Sequence, residues 1–96
     1  MEILVTYDVS TETSAGRRRL RRVAKVCEGY GQRVQKSVFE CSLNEGQLEI
    51  LRHRLVKEMK RGEDSIRIYR LREPHSRYVE VFGVSPVLDL REALVV

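Results

Sequence analysis

The sequence predicts an α+β domain of ferredoxin-like βαββαβ order: one antiparallel sheet with both helices on one face, extended by a short extra strand near the C-terminus. Three observations carry this expectation. Two segments repeat apolar residues at helical spacing, and several others alternate or run apolar over strand length. The two kinds interleave along a chain of 96 residues, which has room for a single core.

Residues 2–8 form an apolar run with Ile3, Val5 and Tyr7 on one side and Leu4 and Thr6 on the other, the pattern of a well-buried strand ending at Asp8. A polar stretch over 10–14 leads into a helix expected over 15–28. Its apolar stripe is Leu20, Val23, Ala24 and Cys27; Arg17, Arg21, Lys25 and Glu28 fall opposite, with Arg18, Arg19 and Arg22 near the flanks. Gly29-Tyr30-Gly31 is expected to stop it, since glycine readily takes a left-handed cap.

Residues 33–43 are strand-like, anchored by Val34, Val38 and Phe39, and alternation alone leaves one strand or two open. The second helix is better signalled. Asn44 is a good N-cap, Gln47 stands at the reciprocal capping-box position, and Leu43 with Leu48 makes a hydrophobic staple. Leu48, Leu51, Leu55 and Met59 then line one face before Gly62 ends it. Residues 65–71 alternate cleanly, a polar turn runs through Pro74 to Arg77, and 78–83 read as another short strand. Pro86 breaks any regular element beyond that strand, and 87–96 is an apolar-rich tail with no core of its own to join. The domain is therefore expected over 1–83, with the tail 84–96 packing on a partner. A chain this small buries a modest share of its surface, and one sheet face is left uncovered, so a homodimer is expected.

Hydrophobic residues make up 42% and charged residues 33% of the chain, as in a water-soluble globular domain. No apolar run approaches the roughly 20 residues that span a bilayer. No basic leader with a cleavage site opens the sequence, so a cytoplasmic location and no membrane partner are expected. Cys27 and Cys41 lack zinc or CxxC spacing and read as reduced packing residues; His53 and His75 are isolated and read as surface residues. No HExxH, GxSxG or glycine-rich phosphate loop is present.

The net charge is +4 and unevenly placed. Between Gly16 and Lys36 stand Arg17, Arg18, Arg19, Arg21, Arg22, Lys25, Arg33 and Lys36, opposed only by Glu28. A solvated surface would mix the signs; this block points to a polyanion, nucleic acid being the commonest. Arg17, Arg18, Arg19, Arg22 and Arg33 are the expected phosphate contacts, giving salt-sensitive affinity with little sequence choice. Tyr7 and Phe39 have the shape to stack on bases, but strand aromatics belong more often to the core. Asp8 is the candidate metal ligand and catalytic residue. A carboxylate at a rigid, open strand end suits magnesium, which takes one or two carboxylates and completes its shell with water and phosphate oxygens. A two-fold dimer would supply a second Asp8.

Three motifs resemble the CRISPR-associated protein two family in order and spacing: Val5-Thr6-Tyr7-Asp8-Val9, the basic segment from Arg17 through Leu20 and Val23 to Gly31, and Arg33-Val34-Gln35-Lys36-Ser37-Val38-Phe39-Glu40-Cys41. The strand Asp64-Ser65-Ile66-Arg67-Ile68-Tyr69 is similar as well, and the likeness covers residues 1 to 83. The resemblance implies a ferredoxin-like homodimer with sheets packed face to face and a short last strand, within 79–82 or the tail, added to the partner's sheet. It implies two strands within 33–43, with a tight turn near Lys36-Ser37. The two Asp8 copies would face each other across the axis to hold magnesium, and Arg19, Arg22 and Arg33 match the family's basic contacts. Ser37 and Phe39 match its hairpin pattern only. The activity implied is metal-dependent cleavage of single-stranded RNA or double-stranded DNA, or a non-catalytic bridge between dimers of the CRISPR integrase during spacer acquisition. One carboxylate per subunit is little equipment for hydrolysis, which favours the bridge. The competing classes are a small-molecule regulatory domain of the same fold, which leaves the arginine-rich helix unexplained, and an unrelated RNA-binding module.

Overall fold

The computed structural model of the chain describes residues 1–84. The elements are β1 (Glu2–Asp8), α1 (Ser14–Glu28), β2 (Gly31–Gln35), β3 (Val38–Ser42), α2 (Glu45–Glu58), β4 (Ser65–Leu71) and a single turn, α3 (His75–Tyr78). The strands form one antiparallel sheet in the order β2-β3-β1-β4, the ferredoxin-like arrangement the sequence predicts.

Register decides what each sheet face carries. Val5 lies opposite Phe39 on one side and Ile68 on the other, and Ile3 opposite Cys41, so these side chains share the face beneath the helices. Phe39, Ile3, Leu51, Leu55, Val5, Val23, Cys27 and Cys41 are its most deeply buried members. The other face shows Leu4, Thr6 and Asp8 of β1 beside Tyr69, Arg67 and Ser65 of β4. Neither α1 nor α2 covers that face, since both pack on the core side.

Local chemistry explains the element ends. Thr13 caps α1 by accepting a hydrogen bond from Gly16 N at 3.0 Å. Asn44 and Gln47 make the full capping box that starts α2, with Leu43 and Leu48 buried beside it. The helix stop at Gly29 is where the sequence places it, but the mechanism differs: Gly29 has φ −74°, not a left-handed cap. Gly31 is needed instead for a close approach, because a Cβ there would collide with the Glu40 carbonyl and Cys41 Sγ. Residues 33–43 resolve into two strands turning at Lys36-Ser37, with a bulge between Arg33 and Gln35.

The strand expected over 78–83 does not form among the described residues. Tyr78 closes α3, and residues 79–84 join no strand. After β4 the chain crosses to the open sheet face, where His75 Nε2 meets Glu40 Oε2 at 2.8 Å, so the segment does not run along the free edge of β4. Without a ladder to join, Val81, Phe82 and Val84 stand 77%, 87% and 95% exposed. Residues 85–96, most of the expected tail, lie outside the described residues.

One polar knot ties the layers together. The side chain of Asp64 has no solvent exposure and accepts from Arg19 Nε at 2.9 Å, Lys60 N at 2.8 Å and Ser10 N at 3.1 Å. Arg19 also donates to Glu63 at 2.9 Å. The Arg19 hydrogen bond, helped by the Lys60 and Ser10 N–H groups, holds the Asp64 carboxyl below its ordinary value against the opposing push of burial. A depressed carboxylate contributes stability that is complete above its unfolded value of about 4 and is lost as pH falls through the folded value. Asp64→Ala should therefore cost on the order of 3 kcal/mol, because it strands a buried guanidinium and two N–H donors. Asp64→Asn should melt lower than wild type at neutral pH, with the gap narrowing as pH falls below about 4. Thermal melts across that range check both; an unchanged gap in acid would contradict the ion pair.

Candidate nucleic-acid interface

Asp8 is the last residue of β1, directly opposite Ser65, the first of β4. The pairing fixes its backbone while leaving its side chain exposed. Thr6, Tyr7, Asp8, Ser65 and Arg67 line an open depression of about 260 Å³ on the uncovered sheet face. The hard side-chain oxygens on that face are the Asp8 carboxylate and the Thr6 and Ser65 hydroxyls. Their hardness suits magnesium, but they do not complete its shell. Among the described residues no group of three or more His, Cys, Asp or Glu side chains gathers around a metal-sized space. A cation here would depend on water, a phosphate or a second copy of the chain for its remaining ligands.

The arginines expected to contact phosphate divide into two groups. Arg17, Arg18 and Arg22 are exposed on α1. Arg17 donates to the Thr11 carbonyl at 3.0 Å, which orients it along the loop following Asp8. Arg22 lies 3.4 Å from Glu58 of α2, an exposed pair that leaves it largely free to exchange partners. Arg18, with Arg21 and Lys25, enters no ion pair among the described residues.

Arg19 is the correction. It was expected on the binding surface, but it is 9% exposed and turned inward onto Asp64 and Glu63. Helical spacing puts it on the side of Gly16 and Val23, which are buried, and its fixed fork matches the Asp64 carboxylate. Arg33 is intermediate. Its guanidinium carbon sits 5.1 Å above the Phe39 ring and its Nη2 lies 3.6 Å from Glu28, so part of its surface remains open. Its Nε is buried without a hydrogen-bond partner among the described residues.

The remaining candidates are structural. Tyr7 and Phe39 stack at 6.2 Å between centroids inside the core, 5% and 0% exposed, so neither is open to a base. Burial pushes the Cys27 thiol up to about 12 and the Cys41 thiol up to about 11, which leaves both protonated and poor nucleophiles at neutral pH. His53 is exposed, and His75 pairs with Glu40. Sequence reasoning missed Asp64. A carboxylate between Gly62 and a strand reads as turn chemistry, and only the fold shows that Arg19 and Ser10 converge on it.

A family model described as "CRISPR associated protein Cas2" matches residues 1–79. A protein of Moorella thermoacetica named "CRISPR-associated endoribonuclease Cas2 1" is 59% identical over 95 residues, covering 99% of each chain. A "CRISPR-associated endonuclease Cas2" from Halalkalibacterium halodurans is 46% identical over 95 residues, with the same coverage. Among solved structures, Streptococcus pyogenes Cas2 superposes with a TM-score of 0.78 at 54% identity, covering 86% of this chain and 100% of that one. With the family model spanning most of the domain and close relatives spanning nearly all of the chain, this protein belongs to the CRISPR-associated protein Cas2 family.

Proposed function

We propose that the chain is the nucleic-acid-binding adaptation protein of a CRISPR system, acting in antiviral defence as a homodimer that grips DNA beside the CRISPR integrase during spacer acquisition. The observation that carries this is the free basic ridge of α1: Arg17, Arg18, Arg21 and Lys25 are exposed and enter no ion pair among the described residues. Arg22 and Arg33 flank it in weak, exchangeable pairs. A ridge of unpaired cations on a rigid helix suits a regular array of phosphates and reads no base edges. The exposed apolar residues Val81, Phe82 and Val84 support the dimer, because a short unpaired segment of this kind is suited to adding to a partner's sheet. A regulatory domain for small molecules is not favoured: the Asp8 depression, about 260 Å³ and open, is smaller than typical enclosed ligand pockets, and it leaves the ridge unexplained.

A second reading is favoured by Asp8 itself. Its exposed carboxylate, with the Thr6 and Ser65 hydroxyls, would hold magnesium at the mouth of the depression, and two copies meeting through their open sheet faces would bring two such carboxylates together. When bound, the ion supplies a water of lowered pKa for attack on a phosphodiester of RNA or DNA. The chain's own part is to fix the carboxylate through the Asp8–Ser65 register and to draw the substrate backbone toward it with the α1 ridge. The relatives' printed names, endoribonuclease and endonuclease, are consistent with this activity.

Two measurements test these readings. Affinity for short duplex DNA should fall roughly a thousandfold between about 50 and 200 mM salt if about six phosphates are contacted by the dimer. An affinity indifferent to salt would remove the ridge from the account. For the nuclease, Asp8→Asn removes charge at little cost in volume, so the fold should survive. Cleavage of RNA or DNA should require both magnesium and Asp8, and should vanish in Asp8→Asn and in chelator. If neither protein cleaves while both bind DNA, the bridge reading stands alone.

A further inference from the structure

We infer that α2 supplies a second row of phosphate contacts, led by Arg54, so that duplex DNA lies along the seam between α1 and α2 rather than on α1 alone. The inference rests on the nucleic-acid reading above and extends it to a second helix. The homodimer proposed there closes through the uncovered sheet face, and the helix layer lies on the opposite side, outside that interface. Two contacts fix the seam. Arg22 of α1 lies 3.4 Å from Glu58 of α2. Arg54 of α2 reaches Tyr30, just beyond α1: its guanidinium carbon sits 5.8 Å from the ring centroid, and its Nη1 donates to the hydroxyl at 3.4 Å. The helices therefore run antiparallel with these residues facing each other. Helical spacing places Arg18 and Lys25 beside Arg22 on α1, and Lys57 beside Arg54 on α2.

The two flanks of α2 carry their charge differently. On the flank toward β4, Arg52 pairs with Glu49 at 2.6 Å and Glu45 with Arg70 at 3.3 Å. On the flank toward α1, Arg54 and Lys57 are exposed and enter no ion pair among the described residues. Glu58 stands one turn on from Arg54, at the spacing of a helical ion pair, yet its carboxylate is turned to Arg22. Tyr30 takes the place of an acid beside Arg54. Its ring and hydroxyl orient the guanidinium without neutralising it, and leave most of its donors available. An oriented, uncompensated fork of this kind suits the paired oxygens of a phosphate. Packed helices lie about 8–10 Å apart, and the grooves of duplex DNA are about 6 and 12 Å wide. Rows on two such helices are therefore spaced to meet the two backbones that border one groove.

The test is the affinity of wild type, Arg18→Gln, Arg52→Gln, Arg54→Gln and Lys57→Gln for short duplex DNA across a salt series, with thermal melts and oligomeric state followed in parallel. Arg52→Gln and Arg54→Gln remove the same charge from opposite flanks of one helix. Arg54→Gln should weaken binding about tenfold and reduce the slope of log affinity against log salt by about 0.9 for each copy that meets the duplex. Lys57→Gln should shift the slope in the same direction, and it reads the row at a site without the Tyr30 contact should Arg54→Gln fold poorly. Arg52→Gln should match wild type. Equal behaviour of all three α2 variants overturns the inference. Weakened binding by Arg18→Gln, with Arg54→Gln and Lys57→Gln at wild-type values, overturns it while leaving the α1 reading in place. Unchanged duplex binding with lost assembly on the integrase overturns it as well, giving the α2 row to a protein partner. A wild type with no salt-dependent binding would instead defeat the nucleic-acid reading, and the α2 row with it.

Discussion

The structure depends on the buried ion pair of Arg19 and Asp64. Asp64 immediately precedes β4, accepts from the N–H of Lys60 just beyond α2, and accepts from the N–H of Ser10 just beyond β1. Arg19 brings α1 to the same point. Four elements are thus held at one carboxylate, two residues from Asp8 on one strand and next to Ser65 on the other. A buried charge pair of this kind is weak evidence for net stability, since its desolvation offsets much of its attraction. Its consequence here is geometric: the strand ends that frame the depression cannot drift apart without stranding a charge. Gly16 reinforces the arrangement, because α1 lies so close to the Ser10 carbonyl that a Cβ would collide with it.

From that anchor the charges of the chain sort into those that fold it and those left for a partner. The inward arginine is fully paired, Arg22 and Arg33 sit in pairs that contribute little in water, and the outward cations of α1 have no acidic neighbour within ion-pair distance among the described residues. A surface optimised for stability alone would neutralise such a row, as Glu49 and Arg52 do on α2 at 2.6 Å. The row is therefore best explained by a polyanion outside the chain. The family membership fits that explanation, and the side-chain geometry is what turns a family resemblance into particular residues.

Much of the fold is legible in the sequence. β1, α2 and β4 follow from alternation and from the Asn44–Gln47 capping box, because these signals are local and each residue's role is decided by its near neighbours. The 33–43 segment is not decided by alternation, since the bulge between Arg33 and Gln35 breaks the period just where it would be counted. Arg19 is misplaced by sequence reasoning for a different reason. Residue type and helical spacing put it on the flank of a basic block, and nothing local shows that a carboxylate 45 residues away turns it inward. The expected strand over 78–83 fails on the same ground: a strand is specified by its pairing partner, and within one chain the described segment finds none. Asp8 is correctly identified as a strand-end carboxylate, but the presence of Arg67 beside it depends on the β1–β4 register.

Neighbouring arginines on one helix are proposed to do separate jobs, Arg19 holding the fold and Arg18 meeting the nucleic acid. The most direct measurement compares Arg18→Gln with Arg19→Gln, following melting temperature and affinity for duplex DNA on the same preparations. Arg18→Gln should melt as wild type and bind more weakly, while Arg19→Gln should melt lower with its folded fraction binding as wild type. Weakened binding by a fully stable Arg19→Gln, with Arg18→Gln unaffected in both respects, would contradict it.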